Sequence, residues 1–183
     1  MPKTDPAREA LLTALEASGV SIPLWDGILI EETVHIAPGA TILPGCILRG
    51  NTTIAAGSVI GPGSVLTDAV IGKNCIVKNT YITESTLEEN VSIGPFSQVR
   101  PGCHIAAGCK IGDFVEVKNS HIGQKTAIAH LTYVGDTDCG SGVNFGCGVA
   151  IANFNGKEKF RTTIGDGAFL GCNTNLVAPV TIG

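Results

Sequence analysis

Aromatic side chains are scarce in this sequence: two tyrosines, six phenylalanines and one tryptophan, 5% of 183 residues. Any core must therefore be filled by small and aliphatic side chains. Charge is scarce as well, at 15% of residues with a formal net of -4. No basic patch occurs, which argues against partners of the nucleic-acid class and against docking on an anionic membrane. No apolar window approaches the ~18–20 residues of a membrane span, and no charged segment followed by an apolar run resembles a secretory signal. The expectation is a soluble, cytoplasmic protein. The seven cysteines include no CxxC and no paired zinc-like spacing. Neither a disulfide framework nor a zinc site is indicated, and no metal is expected.

Glycine, by contrast, is abundant at 24 residues, about twice the usual share of ~7%. It is spread along the chain, so it marks repeated turns rather than a linker. Between the turns an aliphatic residue recurs every six positions, at Ile36, Ile42, Leu48, Ile54, Ile60 and Leu66. The phase slips by one residue to Ile71, continues at Val77, then takes two five-residue steps to Ile82 and Leu87. Six-residue steps resume through Ile93, Val99, Ile105, Ile111 and Val117. Ile122, Ile128, Val134, Cys139, Phe145 and Ile151 follow, and after an interruption Ile164, Leu170, Leu176 and Ile182. Four positions after the aliphatic residue sits a small one, as at Ala40, Cys46, Ser58, Cys75, Ser97, Cys103 and Cys109. The position before it favours Gly or Asn, as at Gly39, Asn51, Asn74, Asn90 and Gly102. These residues best tolerate positive φ. Each unit thus reads as a short strand and a sharp corner, with one large and one small side chain turned inward.

A helix requires a period of about 3.6 and a half-buried strand a period of about 2. A period of six with a turn per unit is the hexapeptide signature of a β-solenoid, three units to a triangular coil of about eighteen residues. The fold class predicted for residues 28–183 is all-β, a parallel β-helix. Its left-handedness rests on the resemblance of strict hexapeptides to that class of solenoid, not on the period. Residues 1–27 read as an N-terminal helix and linker. Asp5 suits the N-cap, Pro6 the first helical position and Gly19 the stop. Leu11, Leu12 and Leu15 give the helix an apolar face that suits covering the solenoid's open end.

Coil length turns separations in sequence into neighbours in space. Arg100 and Lys118 each follow an aliphatic position, eighteen residues apart, so they stack one coil above the other. Two stacked cations suit a phosphate, and two solvated surface charges that splay apart account for the spacing equally well. The stretch between Ile151 and Ile164 reads as a projecting loop of about seven residues within one unit. That count places His130, Cys147 and Cys172 in one column at one corner, a groove for a long thin ligand with chemistry at its histidine end. Cys46, Cys75, Cys103, Cys109 and Cys139 fall on inward positions as small hydrophobes. Cys147 and Cys172 are the accessible ones. A lone histidine is more often structural than catalytic. The neighbouring Tyr133 hydroxyl, cations and small-residue column set His130 apart from His35, His104 and His121.

At these residues the sequence resembles a family. "IGPFSQVRPG", "IGDFVEVKNS", "AHLTYVGD", "VNFGCG", "ANFNG" and "NTNLVAPVTIG" are similar to the acetyltransferase domain of the bifunctional N-acetylglucosamine-1-phosphate uridyltransferase/glucosamine-1-phosphate N-acetyltransferase family. The match runs from about Gly19 to the end. The resemblance implies direct acetyl transfer from acetyl-CoA to the amine of glucosamine 1-phosphate, in a homotrimer with sites between subunits. It implies His130 as general base, and Arg100 and Lys118 on the sugar phosphate. Tyr133 and Asn144 fall at sugar-site positions, Asn144 also beside the oxyanion, and Lys159 at a position reaching a neighbouring site. Cys147, Asn153, Phe154 and Cys172 match acetyl-CoA contacts.

Three departures qualify these implications. The family's uridyltransferase domain is expected to be absent, and UTP chemistry is not expected of this chain. Phe154 stands where the family usually has tyrosine, and Cys172 where serine is common. The chain stops at "TIG", where the family continues with further coils, so the expectation is a fragment, or activity that is weak or lost. Two other readings stand beside the acetyltransferase. One is a non-catalytic trimeric hexapeptide scaffold, or an inactive fragment of such an enzyme. The other is a metal enzyme using His104, His121 and His130 across a trimer interface, although the repeat count puts His121 on an inward small position and the cation pair has no role there.

Overall fold

The computed structural model describes residues 5–183, as one short helix followed by a parallel β-solenoid. Strands of two to four residues alternate with corners and stack into three flat faces. The first and second faces hold nine strands each and the third holds eight, all parallel and each hydrogen-bonded to the strand one coil away. The first face begins at Leu29–Ile30, the second at His35–Ile36 and the third at Thr41–Ile42. The fold is the β-solenoid expected from the six-residue period, in the left-handed form that the resemblance implied. Register follows coil length. Ile30 pairs with Leu48 and Ile54 with Ile71, while Leu66 pairs with Ile82, each short step dropping one corner residue.

The core is a stack of aliphatic side chains, one per strand. Ile42, Leu48, Ile60, Leu66, Ile82, Leu87, Ile93 and Ile105 are fully buried. Parallel strands covered on their inner side demand such side chains, and their burial drives the coiling. The small inward residue at each corner has a second task, because a corner leaves backbone groups without a ladder partner. The Ser58 hydroxyl donates to the Gly72 carbonyl at 2.7 Å and accepts from the Cys75 amide at 3.0 Å. Ser85 does the same between the Arg100 carbonyl and the Cys103 amide, at 2.9 and 3.2 Å. Among the described residues, Thr162 Oγ1 is the buried side-chain polar atom left without a partner.

The corners keep the left-handed backbone expected of Gly39, Asn74, Asn90 and Gly102. Asn51 is a correction: the left-handed residue there is Gly50, at φ +60. A Cβ on Gly50 would sit 2.3 Å from Asp68 Oδ1, an oxygen that instead accepts from the Asn51 amide at 2.8 Å. His121 is a second correction. It points outward and is exposed, and Ser120 takes the inward place. The step from Val117 to Ile122 is one residue short, so the small inward position moves back by one.

The helix spans Pro6–Ala17, with the Asp5 side chain accepting from the Ala7 and Arg8 amides at 3.1 and 3.3 Å. Leu12 is buried and Leu15 packs on the core, so the apolar face closes the first coil. Arg8 fastens it there, donating to the Ile28 and Trp25 carbonyls.

Candidate active site

His130 ends the strand Ala127–His130 on the third face. The register pairs it with Asp113, one coil back, and its Nδ1 lies 2.8 Å from Asp113 Oδ1. The His130 ring holds the Asp113 carboxyl below its usual range. A carboxylate on Nδ1 favours the tautomer that carries its proton there, leaving Nε2 as the basic nitrogen. The buried Thr132 hydroxyl donates to the His130 carbonyl at 2.7 Å and fixes the corner immediately after it. The imidazole itself is half open to solvent. The corner between the third and first faces is built of unusual residues. Phe96, Phe114 and Leu131 occupy three successive coils in left-handed backbone with their side chains exposed. The Phe96 and Phe114 rings stack at 5.5 Å. Left-handed backbone is a costly choice for bulky side chains, and such residues gather near functional sites.

Around that corner, Tyr133, Arg100 and Lys118 lie on the first face. Tyr133 is in register with Glu116, and Lys118 with Gly135. Arg100 sits one coil before Lys118, as its amide bond to the Val117 carbonyl at 2.8 Å requires. The stacking read from the spacing is therefore present. Arg100 also pairs with Glu116 at 2.9 Å, and both side chains are exposed, so the pair adds little stability. The Tyr133 ring folds over Gly135, where a Cβ would stand 2.4 Å from the phenolic oxygen. Gly135 is needed there for space.

The projecting loop follows the strand Ala150–Ala152, and Ala150 pairs with Asn175. That coil is twenty-five residues long, seven more than the eighteen of a regular coil, as the sequence reading counted. Phe154 and Lys159 pair antiparallel across the loop. Both ends are fastened. The Asn153 amide is buried and bonds to Asp136, and Arg161 forks onto Asp138 at 2.8 and 2.5 Å. This returns Lys159 onto Lys118 of its own chain. The contact with Lys159 lowers the Lys118 pKa, with partial desolvation adding to it. Asp136 sits beneath the two lysines, buried in left-handed backbone at φ +50. Burial pushes its carboxyl up, but the Asn119 and Asn153 amides and the two lysines outweigh it, so the net shift is downward. Arg100, Lys118 and Lys159 thus form a cationic cluster one corner from the His130–Asp113 pair.

The His130, Cys147 and Cys172 column is also present. Gly148 donates to the His130 carbonyl at 3.3 Å, and Asn173 to the Cys147 carbonyl at 2.8 Å. Cys172 is exposed and Cys147 partly so, while the other five cysteines are buried. Burial pushes the Cys139 thiol up to about 12. Asn144 does not join this cluster within one chain. It pairs with Ala127 and Phe169, three residues along the face from the level of His130. Phe154 is exposed in the loop, and Asn153 is committed to Asp136 and Tyr133. His104 and His121 lie on the second face beside Glu88 and Asp138, at 3.1 and 3.2 Å, and do not converge with His130 in one chain. The sequence reading missed Asp113, Asp136, Asn119 and Arg161. Asp113 was within reach, because it stands one short coil before His130.

Comparison with known proteins agrees with this architecture. A family model described as bacterial transferase hexapeptide (six repeats) matches residues 84–119. Bifunctional protein GlmU of Acetivibrio thermocellus is 46% identical over 175 residues, which are 96% of this chain and 38% of that protein. GlmU of Brevibacillus brevis is 57% identical over 99 residues, 54% of this chain and 22% of that protein. The chain thus spans well under half the length of these relatives. Among solved structures, a UDP-N-acetylglucosamine acyltransferase superposes with a TM-score of 0.68 at 16% identity, covering 85% of this chain and 67% of that one. The Arabidopsis UDP-N-acetylglucosamine acyltransferase gives 0.53 at 17% identity, over 81% of this chain and 62% of that one. These last two establish the shared fold, and the GlmU relatives bear out the resemblance carried by the sequence motifs. Among the described residues no helix is long and apolar enough to cross a membrane.

Proposed function

We propose that the chain transfers the acetyl group of acetyl-CoA directly to the amine of glucosamine 1-phosphate. The observation that carries this reading is the His130–Asp113 pair set one corner from Arg100, Lys118 and Lys159. The cations hold the sugar phosphate, and Tyr133 packs beside the sugar. The amine then attacks the thioester carbon while His130 Nε2 accepts its proton, and Asp113 steadies the imidazolium that forms. The tetrahedral oxyanion collapses, the carbon–sulfur bond breaks, and the thiolate leaves with the proton from His130. Cys147, Phe154 and Cys172 line the path of the acetyl-CoA arm, and no acyl-cysteine is formed. In the homotrimer of this reading, Asn144 serves the site from across a subunit boundary, where it supports the oxyanion. Lys159 bridges toward the neighbouring site from its place on Lys118.

The test is release of coenzyme A thiol from acetyl-CoA with glucosamine 1-phosphate as acceptor, with unphosphorylated glucosamine alongside. Turnover that depends on the phosphate, and that His130→Ala lowers by about 10²–10⁴-fold, supports the reading. Absence of turnover with either acceptor favours the non-catalytic scaffold instead.

A further inference from the structure

Cys147 and Cys172 are the two cysteines with access to solvent. They are twenty-five residues apart, yet the ladder makes them neighbours: Phe145 pairs with Leu170, and Asn173 donates to the Cys147 carbonyl at 2.8 Å. Residues in register on adjacent parallel strands have Cα atoms about 4.8 Å apart, inside the about 4.4–6.8 Å span that a disulfide bridges. Parallel Cβ atoms at a similar separation exceed the about 3.8 Å a relaxed disulfide prefers, so closure needs an adjustment of about 1 Å. A bond made under that strain at an exposed corner is easily reduced again.

No other pair among the seven cysteines is placed this way. Cys46 is level with Ser64, Cys103 with Ser85 and Ser120, and Cys109 with Thr126. Those thiols are also buried, and burial pushes the Cys46, Cys75, Cys103 and Cys109 pKa values up. Cys147 and Cys172 combine neighbouring register with access from solvent, and the coil beneath them holds His130.

We infer that Cys147 and Cys172 close to an intrachain disulfide on reaction with a low-molecular-weight disulfide. The more exposed Cys172, as thiolate, attacks one sulfur of the small disulfide and releases its first thiol. Cys147, as thiolate, then attacks Cys172 in the mixed disulfide and releases the second. The protein loses two electrons and two protons, and the small disulfide gains them. The bond bridges two coils of the corner beside His130. On the acetyltransferase reading, it obstructs the thioester's approach to the base.

The full chain is incubated with oxidised glutathione, its remaining thiols are alkylated without unfolding, and its peptides are analysed by mass spectrometry. A single linked peptide joining Cys147 and Cys172, dissolved by dithiothreitol, is the expected result. Cys147→Ala and Cys172→Ser should each stop at one glutathione adduct on the remaining cysteine. Two separate adducts on the unsubstituted chain, or two thiols that alkylate but never link, overturn the proposal. The linkage is read without turnover, so it stands or falls apart from the acetyltransferase reading. Where turnover is present, it should fall with linkage and return with dithiothreitol. Linkage with unchanged turnover overturns the obstruction.

Discussion

Asp113 and His130 are seventeen residues apart in sequence and 2.8 Å apart in space. The coil between them is one residue shorter than the eighteen-residue repeat, which brings the carboxylate level with the imidazole. Asp113 holds the ring by its Nδ1 and so selects the nitrogen left to act as base. Asp113→Asn keeps the shape and removes the charge. It should lower kcat by about 10- to 100-fold with KM for the sugar phosphate little changed, a smaller loss than in buried dyads because both groups meet water. Steady-state kinetics on both substrates checks this, and a loss confined to KM would mean that Asp113 only shapes the pocket.

Lys118 is expected to answer to Lys159. Contact between the two ammonium groups lowers the Lys118 pKa. Lys118 therefore gives up its proton at a lower pH than an ordinary lysine, and its grip on a phosphate weakens from there upward. Lys159→Ala removes the largest cause of the shift, so the Lys118 titration should move up. The same variant should raise KM for glucosamine 1-phosphate by about tenfold, because one cation is lost from the anion site. NMR titration of the lysine side chains reads the first effect and kinetics the second.

The solenoid was legible because its period repeats, and Ile60, Leu66, Ile71 and Ile82 landed inside as counted. The coil rule also stacked Arg100 on Lys118 and lined up His130, Cys147 and Cys172. What escaped were consequences of single-residue slips. The short step from Val117 to Ile122 drops one residue, so Ser120 goes inward and His121 outward. The slip also hid Asp113 behind a strict eighteen-residue count. Asp136 escaped for another reason. Its partners Asn119 and Asn153 come from two different coils, and nothing local marks an aspartate as buried. Phe96, Phe114 and Leu131 take left-handed corners that the pattern reserves for Gly and Asn, so composition gave no warning of their backbone.

Asp136 should act as an acid-sensitive fastener. Its carboxyl is held below the ordinary 3.8 despite burial. A carboxylate with a depressed folded pKa contributes stability that is fully present above the unfolded value. That stability is lost as pH falls through the lower folded one. The fall in stability below about pH 4 should therefore be shallower in Asp136→Asn than in the unsubstituted chain. At neutral pH the substitution should cost about 1–3 kcal/mol, because an amide now faces the amide donors of Asn119 and Asn153. Denaturant unfolding at pH 7 and pH 3 checks both signs, and equal losses at the two pH values would show that charge is not the cause.

Gly135→Ala isolates the placement of Tyr133 from the charge of the site. The added methyl would stand 2.4 Å from the Tyr133 oxygen and 2.9 Å from Asn153 Nδ2. The backbone at Gly135 lies in a regular strand level with Lys118, so no conformational penalty accompanies the change. The tyrosine ring must swing away, since the wall beneath it is fixed by the buried Val134 and Val117. Overpacking of this kind costs about 1–3 kcal/mol, which thermal unfolding will register as a lowered Tm. Displacing Tyr133 should also raise KM for the sugar, while the Lys118 titration stays in place. Tyr133→Phe in the same background separates the two causes. It keeps the ring and removes the hydroxyl, so a KM already raised by Gly135→Ala should change little further. If Tyr133→Phe restores KM, the hydroxyl's clash rather than the ring's position was responsible.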